Sequence, residues 1–281
     1  MSRGIVCIAQ NNNDTDYVRL AYLQRMSAKL TNPGLPYALI TDRASIKNMS
    51  SRIKDTFDSV VTIPVDYAED QDWKQRNEFQ LFDLTPFKQT IKLEADLVLT
   101  RSIDHWWDLL QKRDMVLGTH CKTYQGTLAR SRAYRKVFDL NHLPNIYSGM
   151  MYWRRSTLAQ QVFDLVKTIH SNWDSVCTGL RQCQDPGSND LVFAIAARLI
   201  GEELVTLPGE TFGFVHMKPA INDLTENLAW HKWFTTEVNP PSIRIGGFEQ
   251  MYPVHYQDKD WASDDIIRKY ENGLGSIQSS S

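Results

Sequence analysis

The tract Thr90-Ile91-Lys92-Leu93-Glu94-Ala95-Asp96-Leu97-Val98-Leu99-Thr100 sets two carboxylates, one residue apart, inside an apolar run that reads as a strand. Carboxylates there are costly to bury unless something neutralises them, and a divalent cation shared with phosphate oxygens would do so. On a strand, Glu94 and Asp96 share a face, and the small Ala95 between them leaves room for a ligand. A structural explanation stands beside this one: Lys92 pairs with Glu94, and Asp96 caps the strand or anchors a turn. Short acidic motifs are common, so the surroundings must decide.

Those surroundings alternate between strands and helices. Gly4 to Gln10 is a short apolar strand, followed by a polar loop from Asn11 to Asp14 and a helix with Tyr17, Leu20, Leu23 and Met26 near one face. Apolar runs recur at 36–42 and 59–64 with helical material at 43–57 between them. A helix over 73–84 closes at Thr85-Pro86, and the carboxylate strand follows. Further on come a helix over 102–111 with Ser102 as N-cap, strands over 115–119 and 146–153, and helices over 156–170 and 188–199. This order predicts an α/β fold whose mostly parallel sheet is flanked by helices. Open parallel sheets bind ligands beyond the carboxyl ends of their strands, where both the Gln10–Asn13 loop and Glu94-Ala95-Asp96 fall, so a nucleotide is expected. No glycine-rich phosphate loop is present, which leaves the phosphates to a metal and basic side chains.

With 281 residues, 42% of them hydrophobic, the chain suits one large domain. Lys and Arg number 31 against 33 acids, and the net charge of −2 provides no global attraction to nucleic acid or membrane. Cys7, Cys121, Cys177 and Cys183 lack paired metal spacing, and Cys7 reads as a buried thiol, so a reducing cytoplasm is the expected compartment. No stretch approaches membrane-spanning length and no signal peptide is visible, which fits a soluble protein.

Several pieces then occur in a telling order: the opening strand and polar loop ending at Tyr17, Leu81-Phe82-Asp83-Leu84-Thr85-Pro86-Phe87, Glu94-Ala95-Asp96, Tyr147-Ser148-Gly149-Met150-Met151, Asn189-Asp190, and Val215-His216-Met217-Lys218-Pro219. Over roughly residues 4 to 220 this arrangement resembles the glycosyltransferase-A fold, and within it the glycogenin-like, nucleotide-sugar-dependent enzymes. The resemblance implies a catalytic domain over 1–272, nucleotide-binding up to about residue 120 and acceptor-binding beyond it, with a disordered tail over 273–281. It implies transfer of a sugar from a nucleotide diphosphate, a UDP-sugar, to an acceptor hydroxyl with retention. A Mn²⁺ or Mg²⁺ ion would stabilise the departing diphosphate.

The family's acidic motif begins with Asp, where this chain has Glu94. Its late histidine is followed at some distance by Lys-Pro, whereas here Lys218-Pro219 follows only two residues after His216. The segment His255-Tyr256-Gln257-Asp258-Lys259-Asp260-Trp261 also keeps a histidine-to-lysine order. His216 is the favoured ligand because it ends the apolar run from Phe212 to Val215, so Glu94, Asp96 and His216 form the expected metal set, and the imidazole tilts it toward manganese. Ala9, Gln10, Asn11 and Tyr17 would meet base and ribose. Lys74, Arg76 and Lys218 would meet phosphate. Ser148 and Gly149 would let backbone approach the sugar, and Asn189 and Asp190 would serve as catalytic residues at the sugar hydroxyls. Plain alternatives are core packing for Tyr17, helix capping for Asp190 and solvated charges for the basic residues.

A basic segment holding Lys122, Arg130, Arg132, Arg135 and Lys136 is interleaved with Tyr124 and Tyr134, which suits contact with phosphates, although a solvated helix face explains such a run as well. The carboxylate tract followed by Arg101-Ser102-Ile103-Asp104-His105-Trp106-Trp107 resembles glycosyltransferases of tailed phages, some of which glycosylate hydroxymethylated pyrimidines. That resemblance implies double-stranded DNA as acceptor, Arg130, Arg132 and Arg135 as its contacts, and the host cytoplasm as location. The alternatives are an acceptor that is glycan, protein or small molecule, and a non-catalytic nucleotide-binding or nucleotidyltransferase relative.

Overall fold

The computed structural model describes residues 2–130, 133–184, 186–209, 211–224 and 229–278. Its strands are β1 (Arg3–Ile8), β2 (Tyr37–Thr41), β3 (Ser59–Thr62), β4 (Gln89–Leu93), β5 (Leu97–Val98), β6 (Met115–Gly118), β7 (His120–Lys122), β8 (Tyr147–Arg154), β9 (Gly213–His216), β10 (Thr236–Asn239), β11 (Ser242–Ile245), β12 (Phe248–Glu249) and β13 (Val254–His255). The central sheet runs β3-β2-β1-β4-β8-β6; β1 to β4 are parallel, and β8 is antiparallel to both of its neighbours.

Alternation of side chains explains why apolar residues fill both faces of this sheet. Val6, Ala38 and Ile40 pack with Phe163 of helix Thr157–Ser171 and Phe193 of helix Asn189–Ile200. On the other face Ile5, Cys7 and Leu39 pack with Leu20 and Leu23 of helix Tyr17–Thr31 and with Trp106 and Trp107. Side-chain caps start two of these helices: Asp16 accepts from the Arg19 amide at 3.0 Å, and Ser156 from the Ala159 amide at 3.2 Å. A second sheet, β5-β13-β9-β7, brings the C-terminal part of the chain against the carboxylate tract.

The tract is not one continuous strand. β4 ends at Leu93, Glu94 to Asp96 form a turn closed by the Leu97 amide on the Glu94 carbonyl at 3.1 Å, and β5 resumes at Leu97. The buried Gln24 amide holds this turn by donating to the Glu94 and Leu97 carbonyls. Both carboxylates thus leave the sheet together, instead of sharing one face of a strand. Residues 43–57 form two short helices, Arg43–Asn48 and Ser51–Lys54, and 73–84 splits into the 3₁₀ segment Lys74–Gln80 and Leu81–Leu84.

At the other end, helix Asp264–Gln278 occupies six of the residues expected to be a disordered tail. Ile266, Ile267 and Tyr270 bury one side of it, with Leu274 packed alongside, and that apolar spacing carries the helix past Gly273. Among the described residues no helix is long and apolar enough to cross a membrane. Cys177 and Cys183 form a disulfide, while Cys7 and Cys121 are buried thiols. The cysteine spacing did not mark Cys177 and Cys183 as a pair. Replacing Cys177 and Cys183 together by Ser should lower unfolding free energy by about 2 kcal/mol in urea denaturation, the loop-closure value for so short a loop. Thiol titration of the unreduced, denatured protein should find the two free cysteines, and four would contradict the bond.

Candidate functional site

A cavity of about 220 Å³ opens where the parallel strands end. Ile8, Ala9 and Gln10, at the end of β1, line one side, Glu94, Ala95 and Asp96, after β4, line another, and His255, Gln257 and Lys259 close it from the C-terminal segment. The register of the second sheet explains the histidine: His255 stands between Leu97 on β5 and His216 on β9, and the Tyr256 amide donates to the Asp96 carbonyl at 3.1 Å. His255 Nε2 therefore lies 3.0 Å from Asp96 Oδ2 and 3.4 Å from Glu94 Oε2. Ligand atoms of Glu94, Asp96 and His255 all lie within 4.8 Å of one another. Two carboxylate oxygens and one imidazole nitrogen form a donor set that suits Mn²⁺ or Mg²⁺.

His216, the histidine expected there, stands one strand further out and stacks on His255, with ring centroids 4.6 Å apart and planes 9° from parallel. Burial, the neighbouring His255 and Lys218 push its pKa well below the usual histidine range. Burial alone would lower His255 too, but Asp96 outweighs it and the pKa rises. Asp96 is driven the other way: burial would raise it, yet His255 and Lys259 hold it far below the usual carboxylate range, and Lys259 Nζ bonds Asp96 Oδ2 directly.

Behind Glu94 lies a buried lysine that the sequence indicated only as a partner for that residue. Lys92 is fully buried on β4; its Nζ meets Glu78 Oε1 at 2.9 Å, the Ser148 carbonyl at 2.8 Å and Glu94 Oε1 at 3.8 Å. Burial would lower the Lys92 pKa, but Glu78 and Glu94 raise it. Burial lifts the Glu78 carboxyl to about 7 against the pull of Lys92. Glu78 was missed, because nothing in a one-dimensional pattern marks an acid on a 3₁₀ segment as facing a lysine on the next strand.

The other expected residues divide. Ala9, Gln10, Tyr17 and Lys74 line the cavity. The Gln10 amide is held at both ends, donating to Asp66 Oδ2 at 3.0 Å and accepting from Asn77 at 2.8 Å, and Lys74 Nζ donates to the Ala68 and Glu69 carbonyls at 2.6 and 2.8 Å. Asn11 faces a neighbouring groove instead, where its Oδ1 accepts the Val18 amide at 3.0 Å and so helps start the first helix. Arg76 points away from the cavity, donating to the His170 carbonyl at 3.4 Å in a groove beside Trp173 and the disulfide.

Ser148, Gly149, Asp190 and Lys218 line a second cavity of about 170 Å³ that shares Trp73, Gln75, Glu94, His255 and Gln257 with the first. Asp190 Oδ1 accepts from the Ser148 amide at 2.7 Å and its hydroxyl at 2.9 Å, while Oδ2 pairs with Arg135 at 2.8 Å. Asn189 is fully buried and does not face either cavity: it bonds His170 Nε2 at 3.0 Å and the Gln75 carbonyl at 3.1 Å.

Of the three arginines expected at DNA, Arg135 is turned inward. Arg135 is buried, its guanidinium 3.9 Å from the Phe138 ring centroid and 4.2 Å from that of Tyr147, and Asp190 neutralises it. Arg130 is exposed, and Arg132 lies outside the described residues. Spacing along the chain could not distinguish a solvated arginine from one sandwiched between aromatic rings.

Neither a family model nor a curated protein matches the chain. Among solved structures, an active-site mutant of LgtC aligns with 97% of this chain and 95% of its own length at 12% identity and a TM-score of 0.50. The chain has a glycosyltransferase-A fold. Mouse xyloside xylosyltransferase 1 aligns with 74% of this chain and 85% of its own at 12% identity and a TM-score of 0.48. GlyE of Streptococcus pneumoniae TIGR4 aligns with 73% at 12% identity and a TM-score of 0.40, and the chain spans only 45% of that protein's length.

Within this glycosyltransferase-A fold, a glycine makes room for the longer acid at 94. A Cβ on Gly149 would come 2.9 Å from Glu94 Oε2. Gly149→Ala should therefore push the Glu94 carboxylate aside and weaken Mn²⁺ binding at least about tenfold by calorimetry, as loss of a supporting contact does at metal sites. Unaltered Mn²⁺ affinity in a folded variant would contradict that close fit.

Proposed function

We propose that the protein is a metal-dependent glycosyltransferase that moves a sugar from a nucleotide-diphosphate donor, a UDP-sugar, to an acceptor hydroxyl, with retention of configuration. The convergence of Glu94, Asp96 and His255 at the carboxyl ends of the parallel strands carries this reading. Glu94, Asp96 and His255 would hold the ion, Mn²⁺ or Mg²⁺. When bound, it would supply positive charge to the diphosphate as the glycosidic bond breaks. Retention, which the family resemblance implies, would show as an unchanged anomeric configuration in product NMR.

The chain's own residues would do the rest. Ala9, Gln10 and Tyr17 would frame the nucleoside, Lys259 would add an ammonium at the diphosphate, and Lys218 stands in the second cavity on the far side of Glu94. Asp190 would act by positioning: it fixes the Ser148 amide and Arg135 and so keeps the wall of the second cavity in place beside the sugar. With Arg135 buried, an acceptor hydroxyl on a glycan, protein or small molecule fits better than one on DNA.

Stabilisation by UDP in thermal melts should require Mn²⁺. Asp96→Ala should abolish donor turnover while the protein stays folded. His255→Ala should weaken Mn²⁺ binding by about 10- to 100-fold, whereas His216→Ala should change it little. Equal loss in both histidine variants, or UDP binding indifferent to metal, would refute the assignment.

A further inference from the structure

A groove of about 900 Å³ opens beside the donor cavity and has no task in the chemistry proposed above. Asp72 and Trp73 line both the groove and the donor cavity, and Trp73 also lines the second cavity. Gly187, which lines the groove, directly precedes Ser188 of the second cavity. The groove thus runs outward from the place where the donor's sugar would stand, and an acceptor must reach that place from outside. Its floor is fixed in advance. Trp173 is only 9% exposed, and a Cβ on Gly187 would come 3.2 Å from its indole, so glycine lets the backbone lie against the ring. Cys177 and Cys183, joined by their disulfide, line the groove as well. A cross-linked wall has little further freedom to lose when a ligand settles on it.

The chemistry of the wall narrows the occupant. The indoles of Trp73 and Trp173 offer flat apolar surface to the C–H face of a sugar ring, while Asp72, Asp174 and Thr178 supply acceptors for its hydroxyls. Arg76 gives one N–H to the His170 carbonyl at 3.4 Å and keeps further donors. Among the described residues of the wall none is Leu, Ile, Val, Met or Phe, so an aliphatic anchor of a polypeptide finds no pocket there. Asp72 and Asp174 outweigh the charge of Arg76, and His170 adds none near neutral pH because burial lowers its pKa. Phosphates, nucleic acid and acidic glycans therefore meet a wall of like charge.

We propose that this groove binds the acceptor and that the acceptor is a neutral oligosaccharide, whose terminal sugar reaches past Trp73 toward the second cavity while the sugars behind it lie along Trp173 and the disulfide. This rests on the glycosyltransferase reading of the site. Asp174 and Thr178 are exposed on the groove wall and line neither the donor cavity nor the second cavity, so changes there act on the acceptor alone.

The test is an array of neutral and anionic oligosaccharides of increasing length, probed with the full chain in the presence of UDP and Mn²⁺, followed by calorimetry on the best binder. The wild-type protein should bind a neutral oligosaccharide more tightly than its terminal monosaccharide alone. Mixed with UDP-glucose, UDP-galactose, UDP-xylose and UDP-N-acetylglucosamine, that glycan should gain one sugar by mass spectrometry. Thr178→Trp and Asp174→Trp, each filling part of the groove from an exposed position, should each weaken the glycan at least about tenfold and leave UDP within about twofold. Unchanged glycan affinity in either folded variant would overturn the proposal, as would a preference for anionic glycans, a bound glycan that gains no sugar, or no glycan bound while UDP binds. Transfer to a polypeptide alone would overturn it in favour of a protein acceptor. Failure of UDP to bind would instead sink the donor-site reading, while glycan binding lost in Thr178→Trp would still support the groove as a glycan site. Should neither variant fold, a crystal structure of the wild-type protein with the glycan, UDP and Mn²⁺ decides: a sugar ring stacked on Trp73 is expected, and a glycan seated outside the groove refutes it.

Discussion

Everything at this site depends on keeping Glu94 and Asp96 charged and close together below the surface. Carboxylates so placed are tolerable only with counter-charge, and the fold brings it from three directions: Lys92 from the strand before the turn, His255 from β13, and Lys259 from the segment after it. Removing one partner from a buried pair such as Lys92 and Glu78 typically costs about 3–5 kcal/mol, so this arrangement constrains the fold as well as the chemistry. The same concentration of acid lets a divalent cation be drawn in and shared with phosphate.

The turn at residues 94–96 converts that constraint into geometry. A continuous strand would have set Glu94 and Asp96 in line along the sheet, with no neighbour free to approach from the end. By stopping β4 at Leu93 and restarting at Leu97, the chain lets β5 join a different sheet, and that sheet carries His255. Gln24, a buried amide on the first helix, holds the turn. The first helix therefore takes part in the site through the backbone, with no charged group of its own at the metal position.

Much of this was legible in the sequence where physics acts locally. The β1, β2 and β4 runs are apolar enough to announce a buried parallel sheet, and two acids in such a run announce a need for cations. Long-range pairing was not legible. A two-residue strand such as Val254–His255 leaves almost no periodic signal, so the sequence favours the histidine ending the longer apolar run Phe212–Val215, whereas the fold sets His255 beside Glu94 and Asp96. Arg135 reads as one member of a basic run, yet Asp190, Phe138 and Tyr147 converge on it from distant parts of the chain. The bond between Cys177 and Cys183 and the helix through Gly273 were likewise decided by packing and not by local composition.

Pulsed electron paramagnetic resonance of Mn²⁺ bound with UDP is the most direct check on this picture. The Glu94, Asp96 and His255 site requires a ¹⁴N coupling from one imidazole, present in the wild-type protein and absent once position 255 is no longer histidine. A manganese spectrum without nitrogen coupling, or one whose coupling survives that replacement, would contradict it.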